Sequence, residues 1–101
     1  MYISNMQHFL DETGSIPKQM TKEGRELASF FALVIDTTTK NLPAKLTPTG
    51  IRCFKKGCQG FIKTAIKHDN AEIRWYCPHC EEEGLISEWQ KTKWDNRSSN
   101  K

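Results

Sequence analysis

The spacing of the four cysteines constrains this 101-residue chain more than any other feature of its sequence. Four residues separate Cys53 from Cys58, eighteen separate Cys58 from Cys77, and two separate Cys77 from Cys80. Two close pairs at this separation are typical of a tetrahedral zinc site with four thiolate ligands. The spacing therefore predicts a structural zinc site that holds the C-terminal half of the chain together. Iron bound by four sulfurs fits the same pattern and stays an alternative.

The other use of four cysteines is a pair of disulfide bonds, which persist only in oxidising compartments. The first residues, MYISNMQHFLDETGS, have neither the basic segment nor the apolar run of an export signal. The longest apolar run, over residues 30–35, is far too short to cross a bilayer. We therefore expect a cytoplasmic protein with metal-bound thiolates and no membrane partner.

The segment between the two cysteine pairs alternates in a way that predicts two antiparallel strands. With Asp69 and Asn70 as a two-residue turn, one face pairs apolar side chains and the other includes an opposite-charge pair. The predicted register is Ile66 with Ile73, Thr64 with Trp75, Lys67 with Glu72, Ala65 with Arg74, and Lys63 with Tyr76. Residues 85–89 would supply a third strand.

The N-terminal half shows helical periodicity instead. Leu27, Phe31 and Val34 mark one stripe of a helix predicted over residues 21–38, with Thr21 as its N-cap. A short helix within residues 1–12 would precede it, and the prolines and glycine of residues 41–50 predict a linker.

The predicted fold class is therefore α+β: an N-terminal helix, or two, followed by a three-stranded antiparallel zinc ribbon. The predicted divisions are a helical region and linker over residues 1–47, the ribbon over residues 48–95 and a disordered tail over residues 96–101.

A sequence motif within the ribbon also resembles a known group of proteins. Residues 77–80 (CPHC) and 84–89 (GLISEW) are similar to short, uncharacterised bacterial proteins that combine a four-cysteine zinc ribbon with a Gly-x-Ile-Ser-x-Trp strand. The resemblance covers about residues 51–95. It implies a bacterial source and a ribbon fold, and it carries no assigned activity.

Nucleic acid is one candidate partner of the ribbon. Lysine and arginine would neutralise phosphates, and aromatic rings would stack on bases. The candidate residues are Arg52, Lys55, Lys56, Phe61, Lys63, Lys67, Arg74 and Tyr76. However, the net charge of +3 falls to about +1 once four thiolates and one zinc ion are counted. The three glutamates of residues 81–83 also lie beside the second cysteine pair, so the electrostatic argument for nucleic acid is weak.

Another protein is the favoured partner. Trp75, Trp89 and Trp94 are many for so small a ribbon, and aromatic side chains are enriched at protein interfaces. Trp75 falls on the predicted core face, and Trp89 could lie between ribbon and helix. Trp94 follows the last predicted strand and is the candidate partner-binding anchor. A homo-oligomer formed through the helix stays open.

Catalysis is the least favoured function. Residues 77–80 (CPHC) match the active-site tetrapeptide of thiol-disulfide oxidoreductases, but only twenty-one residues follow Cys80, which is too few for that fold. His79 lies between two cysteines and is expected to point outward, because four sulfurs already complete the metal site. The sequence thus predicts a small non-enzymatic zinc-ribbon module that binds a macromolecule, with protein ahead of nucleic acid.

Overall fold

The computed structural model describes residues 2–40, 47–55, 57–67 and 71–96, with the backbone alone at positions 47 and 48. Its elements are β1 (Tyr2–Asn5), a 3₁₀ helix (Met6–Phe9), α1 (Lys22–Lys40), β2 (Thr47–Arg52), β3 (Phe61–Ile66), β4 (Ile73–Tyr76) and β5 (Glu83–Ser87). The strands form one five-stranded sheet in the order β1-β5-β4-β3-β2. Neighbouring strands are antiparallel from β2 to β5, whereas β1 runs parallel to β5.

The predicted fold, an N-terminal helix followed by a three-stranded antiparallel ribbon, is therefore wrong. The helix lies in the middle of the chain, after a strand, and the sheet is mixed and five-stranded. The predicted helix over residues 1–12 is replaced by β1 and the 3₁₀ helix. An isolated helix this short is marginal in water, whereas β1 gains hydrogen bonds by pairing with the edge of β5.

The linker predicted over residues 41–50 is also wrong in the part that the structure describes. Its later part belongs to β2, which pairs with β3 and carries an irregularity between Pro48 and Arg52. Gly50 adopts a left-handed φ of 70° within this irregularity. Proline and glycine are tolerated here because β2 is an edge strand. The first six residues of the predicted linker, 41–46, lie outside the described residues.

The predicted hairpin register is confirmed. In the sheet, Lys63 pairs with Tyr76, Thr64 with Trp75, Ala65 with Arg74, and Ile66 with Ile73. The Lys67 N–H donates to the Glu72 carbonyl (2.8 Å), as the predicted pairing requires. The proposed turn at Asp69 and Asn70 lies outside the described residues. The third predicted strand is present as β5, two residues earlier than expected.

The hydrophobic core lies between α1 and one face of the sheet. Helix α1 begins at Lys22, directly after the predicted N-cap Thr21. The Thr21 side chain accepts a hydrogen bond from the Gly24 N–H (3.1 Å), as an N-cap does. The buried core residues include Phe30, Phe31, Val34 and Ile35 from α1, and Ile62, Ile73, Trp75 and Ile86 from the sheet. Trp89 is also buried, and its Nε1 donates to the Ala71 carbonyl (2.7 Å). Neither helix of the described segments combines the length and the apolarity needed to cross a bilayer.

One buried polar contact joins the helix to the sheet. The hydroxyl oxygens of Thr38 and Thr64 lie 2.6 Å apart, and both side chains are buried. Replacing either threonine by valine is expected to cost about 1–3 kcal/mol, because the remaining hydroxyl loses its partner inside the core. The double valine variant is expected to lose clearly less than the sum of the two single losses. Urea unfolding of the three variants tests this expectation, and additive losses would contradict it.

Candidate metal centre

The four cysteine sulfurs converge at one end of the sheet. The Sγ atoms of Cys53 and Cys80 lie 3.6 Å apart, as do those of Cys58 and Cys77. All four sulfurs lie within 4.8 Å of one another. A tetrahedral zinc ion with bonds of about 2.3 Å would separate its sulfur ligands by about 3.8 Å, whereas a disulfide needs about 2.05 Å. The cysteines are free in this structure, and their geometry fits a metal site better than a disulfide.

The first cysteine pair lies on a turn closed by backbone hydrogen bonds. The Cys53 N–H donates to the Gly60 carbonyl (2.9 Å), and the Cys58 N–H donates to the Lys55 carbonyl (3.0 Å). Gly57 just before Cys58 has a φ of 85°, which glycine adopts without strain. The N–H groups of Lys55 and Gly60 point at the sulfurs of Cys53 (3.4 Å) and Cys58 (3.3 Å) respectively. Such donors stabilise the thiolate form that binds metal.

The second pair lies on a matching turn that packs against the first. The Cys77 N–H donates to the Glu82 carbonyl, and the Cys77 carbonyl accepts from the Glu81 N–H, both at 2.8 Å. Gly60 permits the close approach of the two turns, because a Cβ there would lie 2.4 Å from the Cβ of His79 and 2.8 Å from the Cys77 sulfur. His79 itself is exposed, and the sulfur cluster does not include it.

The thiols differ in how readily they ionise. Burial raises the pKa of Cys53 to about 12, despite the backbone N–H of Lys55 that lowers it. Burial also raises the pKa of Cys77, but the N–H groups of Cys80 and His79 and the neighbouring thiols outweigh burial and lower it to about 7. A negative charge on one sulfur is thus shared with protonated neighbours. A divalent cation would replace those protons and bind all four sulfurs as thiolates.

The predicted nucleic-acid residues are divided by the fold. Phe61, Lys63, Arg74 and Tyr76 share the sheet face opposite α1, as their pairing requires. Arg74 donates to Glu83 at 3.1 and 3.2 Å and lies over the Tyr76 ring, 5.5 Å from its centre. Its charge is therefore partly neutralised and the ring partly covered.

The remaining members of that set retain more freedom. Lys63 is exposed, and Phe61 is 54% exposed. Arg52 and Lys55 are exposed near the first turn, and Lys67 is half-buried. Lys56 lies outside the described residues. The described members of the set thus lie partly on the sheet face opposite α1 and partly near the first cysteine turn, with Arg52 in the wall of a groove beside α1.

The predicted anchor Trp94 is half-buried rather than fully exposed. It packs against the core and lines a groove of about 500 Å³ together with Ile16, Ala32 and Leu33. The segment around it is fixed to α1, because Asn96 donates from its backbone to Thr39 (3.0 Å) and from its side chain to Asp36 (2.9 Å). The Asn96 contact lowers the pKa of Asp36, which stays ionised near neutral pH. Asn96, the first residue of the predicted disordered tail, therefore forms hydrogen bonds with α1, and residues 97–101 lie outside the described residues.

The sequence did not reveal a second groove, between α1 and β2. This α1–β2 groove has a volume of about 520 Å³ and is lined by Lys22, Arg25, Glu26, Ser29, Phe30, Leu33, Ile51 and Arg52. Its signal in the sequence is Leu33, an apolar residue outside the predicted stripe of Leu27, Phe31 and Val34. The groove itself could not be predicted, since its other wall is Ile51 and Arg52 of β2, a strand that overlaps the predicted linker and whose position beside α1 has no signal in the sequence.

Comparisons with protein-family models, curated proteins and solved structures give no match for this chain. The resemblance of residues 51–95 to short bacterial ribbon proteins therefore stays a prediction.

Proposed function

We propose that this chain is a small non-enzymatic protein in which a four-cysteine zinc site stabilises a docking module for another protein. The convergence of four free sulfurs within 4.8 Å is the observation that supports this proposal. Four thiolates complete a tetrahedral coordination shell and leave no position for a reactive water. Such a site would have a structural role and would join two turns that are far apart in the sequence.

Zinc is the proposed metal, and iron is its competitor for the same ligands. The test is elemental analysis of protein purified under reducing conditions from cells supplied with both metals. We expect about one zinc ion per chain. A red, redox-active iron centre would replace zinc in the proposal, and a metal-free folded protein would overturn the structural role.

Redox catalysis is the enzymatic alternative, and one property favours it: Cys77 has a pKa lowered to about 7. However, the sulfurs of Cys53 and Cys58 lie in the same cluster as those of the redox motif, Cys77 and Cys80. A metal site uses all four, whereas a dithiol exchange site uses two. The cluster therefore supports metal binding better than catalysis.

A protein partner is proposed ahead of nucleic acid. On the face where nucleic acid would bind, Arg74 is paired with Glu83 and covers Tyr76. The opposite side of the molecule has two grooves with apolar walls that share Leu33. Mixed charge on the sheet face argues for solvation, and apolar grooves are suited to protein side chains.

The two partner classes are separated by matched variants of the zinc-loaded protein. Leu33→Ser, which alters the wall shared by both grooves, is expected to abolish co-purification with an identified protein, while Phe61→Ala, which truncates an exposed aromatic on the other face, leaves it intact. Two results together would overturn the docking proposal in favour of nucleic acid. The first is the reverse pattern of co-purification, and the second is salt-sensitive retention on a nucleic-acid column that Lys63→Glu abolishes.

A further inference from the structure

The outward side of α1 carries an apolar residue where solvent-facing helices are normally polar. The residues of this stripe, at helical spacing, are Lys22, Glu26, Ser29, Leu33, Asp36 and Lys40. Leu33 is 53% exposed, and it is one of only three large apolar side chains that are exposed among the described residues. It forms the ridge between the α1–β2 groove and the groove beside Trp94.

The floor and rim of the α1–β2 groove differ in character. Its apolar lining comes from Phe30, Leu33 and Ile51. Three cations and one anion border this lining: Lys22, Arg25 and Arg52 against Glu26. The groove therefore combines an apolar floor with a net positive rim.

The two arginines carry most of this positive charge. Lys22 is partly matched by Glu26, whose carboxylate lies 4.0 Å from its ammonium group. Arg25 and Arg52 form no ion pair with any carboxylate of the described residues. Arginine is also the side chain best suited to bidentate recognition of a carboxylate. An occupant with an apolar group and flanking carboxylates would match the groove in both polarity and charge.

We infer that the α1–β2 groove binds an acidic peptide segment of a partner protein, with an apolar side chain seated against Leu33 and Phe30. Carboxylates of the segment would pair with Arg25 and Arg52. This inference rests on the proposed docking function and specifies the surface and the chemistry of the partner. Charge complementarity selects a peptide of this kind over a basic or neutral one.

The test selects ligands from a random-peptide display library on the immobilised, zinc-loaded protein. We expect selected peptides to be enriched in aspartate or glutamate around a leucine or aromatic residue. A synthetic peptide of the consensus should bind at least about tenfold more weakly to Arg25→Glu/Arg52→Glu and to Leu33→Ser, since both variants remove central contacts. Binding should also weaken in about 1 M salt, where charges are screened within about 3 Å.

The matched control is Lys18→Glu/Lys63→Glu, which makes the same change in net charge at two exposed lysines outside the groove. It should bind the peptide as well as the unmodified protein does, and all variants should retain their zinc.

Equal loss of peptide binding in the control would show a general charge effect and overturn the inference. So would a selection that yields no peptide, peptides without acidic residues, or peptides whose binding survives both groove variants. Selected peptides that require Trp94 and not Arg25 would overturn the groove assignment alone and leave the docking function standing. Single-stranded RNA that binds and depends on the same arginines would instead overturn both.

Discussion

Replacing Cys77 by serine is expected to abolish zinc binding and to unfold the protein as a whole. Zinc bound to four thiolates contributes an apparent free energy of about 10–16 kcal/mol in small domains, which matches or exceeds the total stability of a typical domain. Serine is a similar size but a far poorer ligand, so the variant isolates the loss of coordination. Elemental analysis should find no stoichiometric zinc, and far-ultraviolet circular dichroism should show no cooperative melting.

The expected loss extends beyond the metal end of the sheet. Cys53 and Cys77 are buried in the same core cluster as Phe30 of the helix and Trp75 of β4. Moving the cysteines would therefore expose the surface on which α1 packs. A chelator that competes for zinc should produce the same unfolded spectrum in the unmodified protein, and added zinc should reverse it.

The matched control for this prediction is His79→Ala. His79 lies between two of the proposed ligands in the sequence, is exposed, and has its Cβ close to Gly60, a contact which alanine preserves. The control should retain about one zinc ion and an unchanged melting transition. A Cys77→Ser variant that melts like the unmodified protein, or a His79→Ala variant without zinc, would contradict the assigned ligand set.

The sequence predicts the four-cysteine cluster and the central hairpin because both are governed by short-range patterns. Cysteine spacing restricts where sulfurs can meet, and alternation between residues 63 and 76 admits one register that pairs apolar side chains together. The position of α1 follows from periodicity and from the Thr21 cap in the same way. These features depend on neighbours in the chain, which a single sequence displays.

The edge strands could not be predicted for physical reasons. Tyr2 to Asn5 form a strand only because β5, about eighty residues later, offers a parallel partner. Because the two strands are parallel and far apart in the sequence, no short turn joins them and no local alternation in the sequence indicates their pairing. β2 contains Pro48 and Gly50, residues that favour loops unless a neighbouring strand supplies the hydrogen bonds. The α1–β2 groove was missed for the same reason, since it exists only once β2 is placed beside the helix.

Trp75→Ala is expected to be the most destabilising change outside the metal site, costing about 3–5 kcal/mol. Trp75 is 1% exposed and connects three parts of the fold. Its ring stacks on Tyr2 of β1 at 5.7 Å and meets Phe30 of α1 edge-on at 5.2 Å. It also covers Gly84 of β5, where a Cβ would lie only 2.5 Å from the indole Nε1. Alanine would leave a cavity at the point where helix, central strand and edge strand meet.

The loss should come from packing rather than hydrogen bonding. Nε1 of Trp75 is buried and has no hydrogen-bond partner among the described residues, so its removal breaks no such bond. Phe61→Ala is the matched control, because it truncates an aromatic side chain on the adjacent strand that is 54% exposed. It should change stability by no more than about 0.5 kcal/mol. Urea unfolding of zinc-loaded protein, followed by far-ultraviolet circular dichroism, gives both values. Equal losses in the two variants would show that the core does not lie between α1 and the inner sheet face, because burial is the property that distinguishes Trp75 from Phe61.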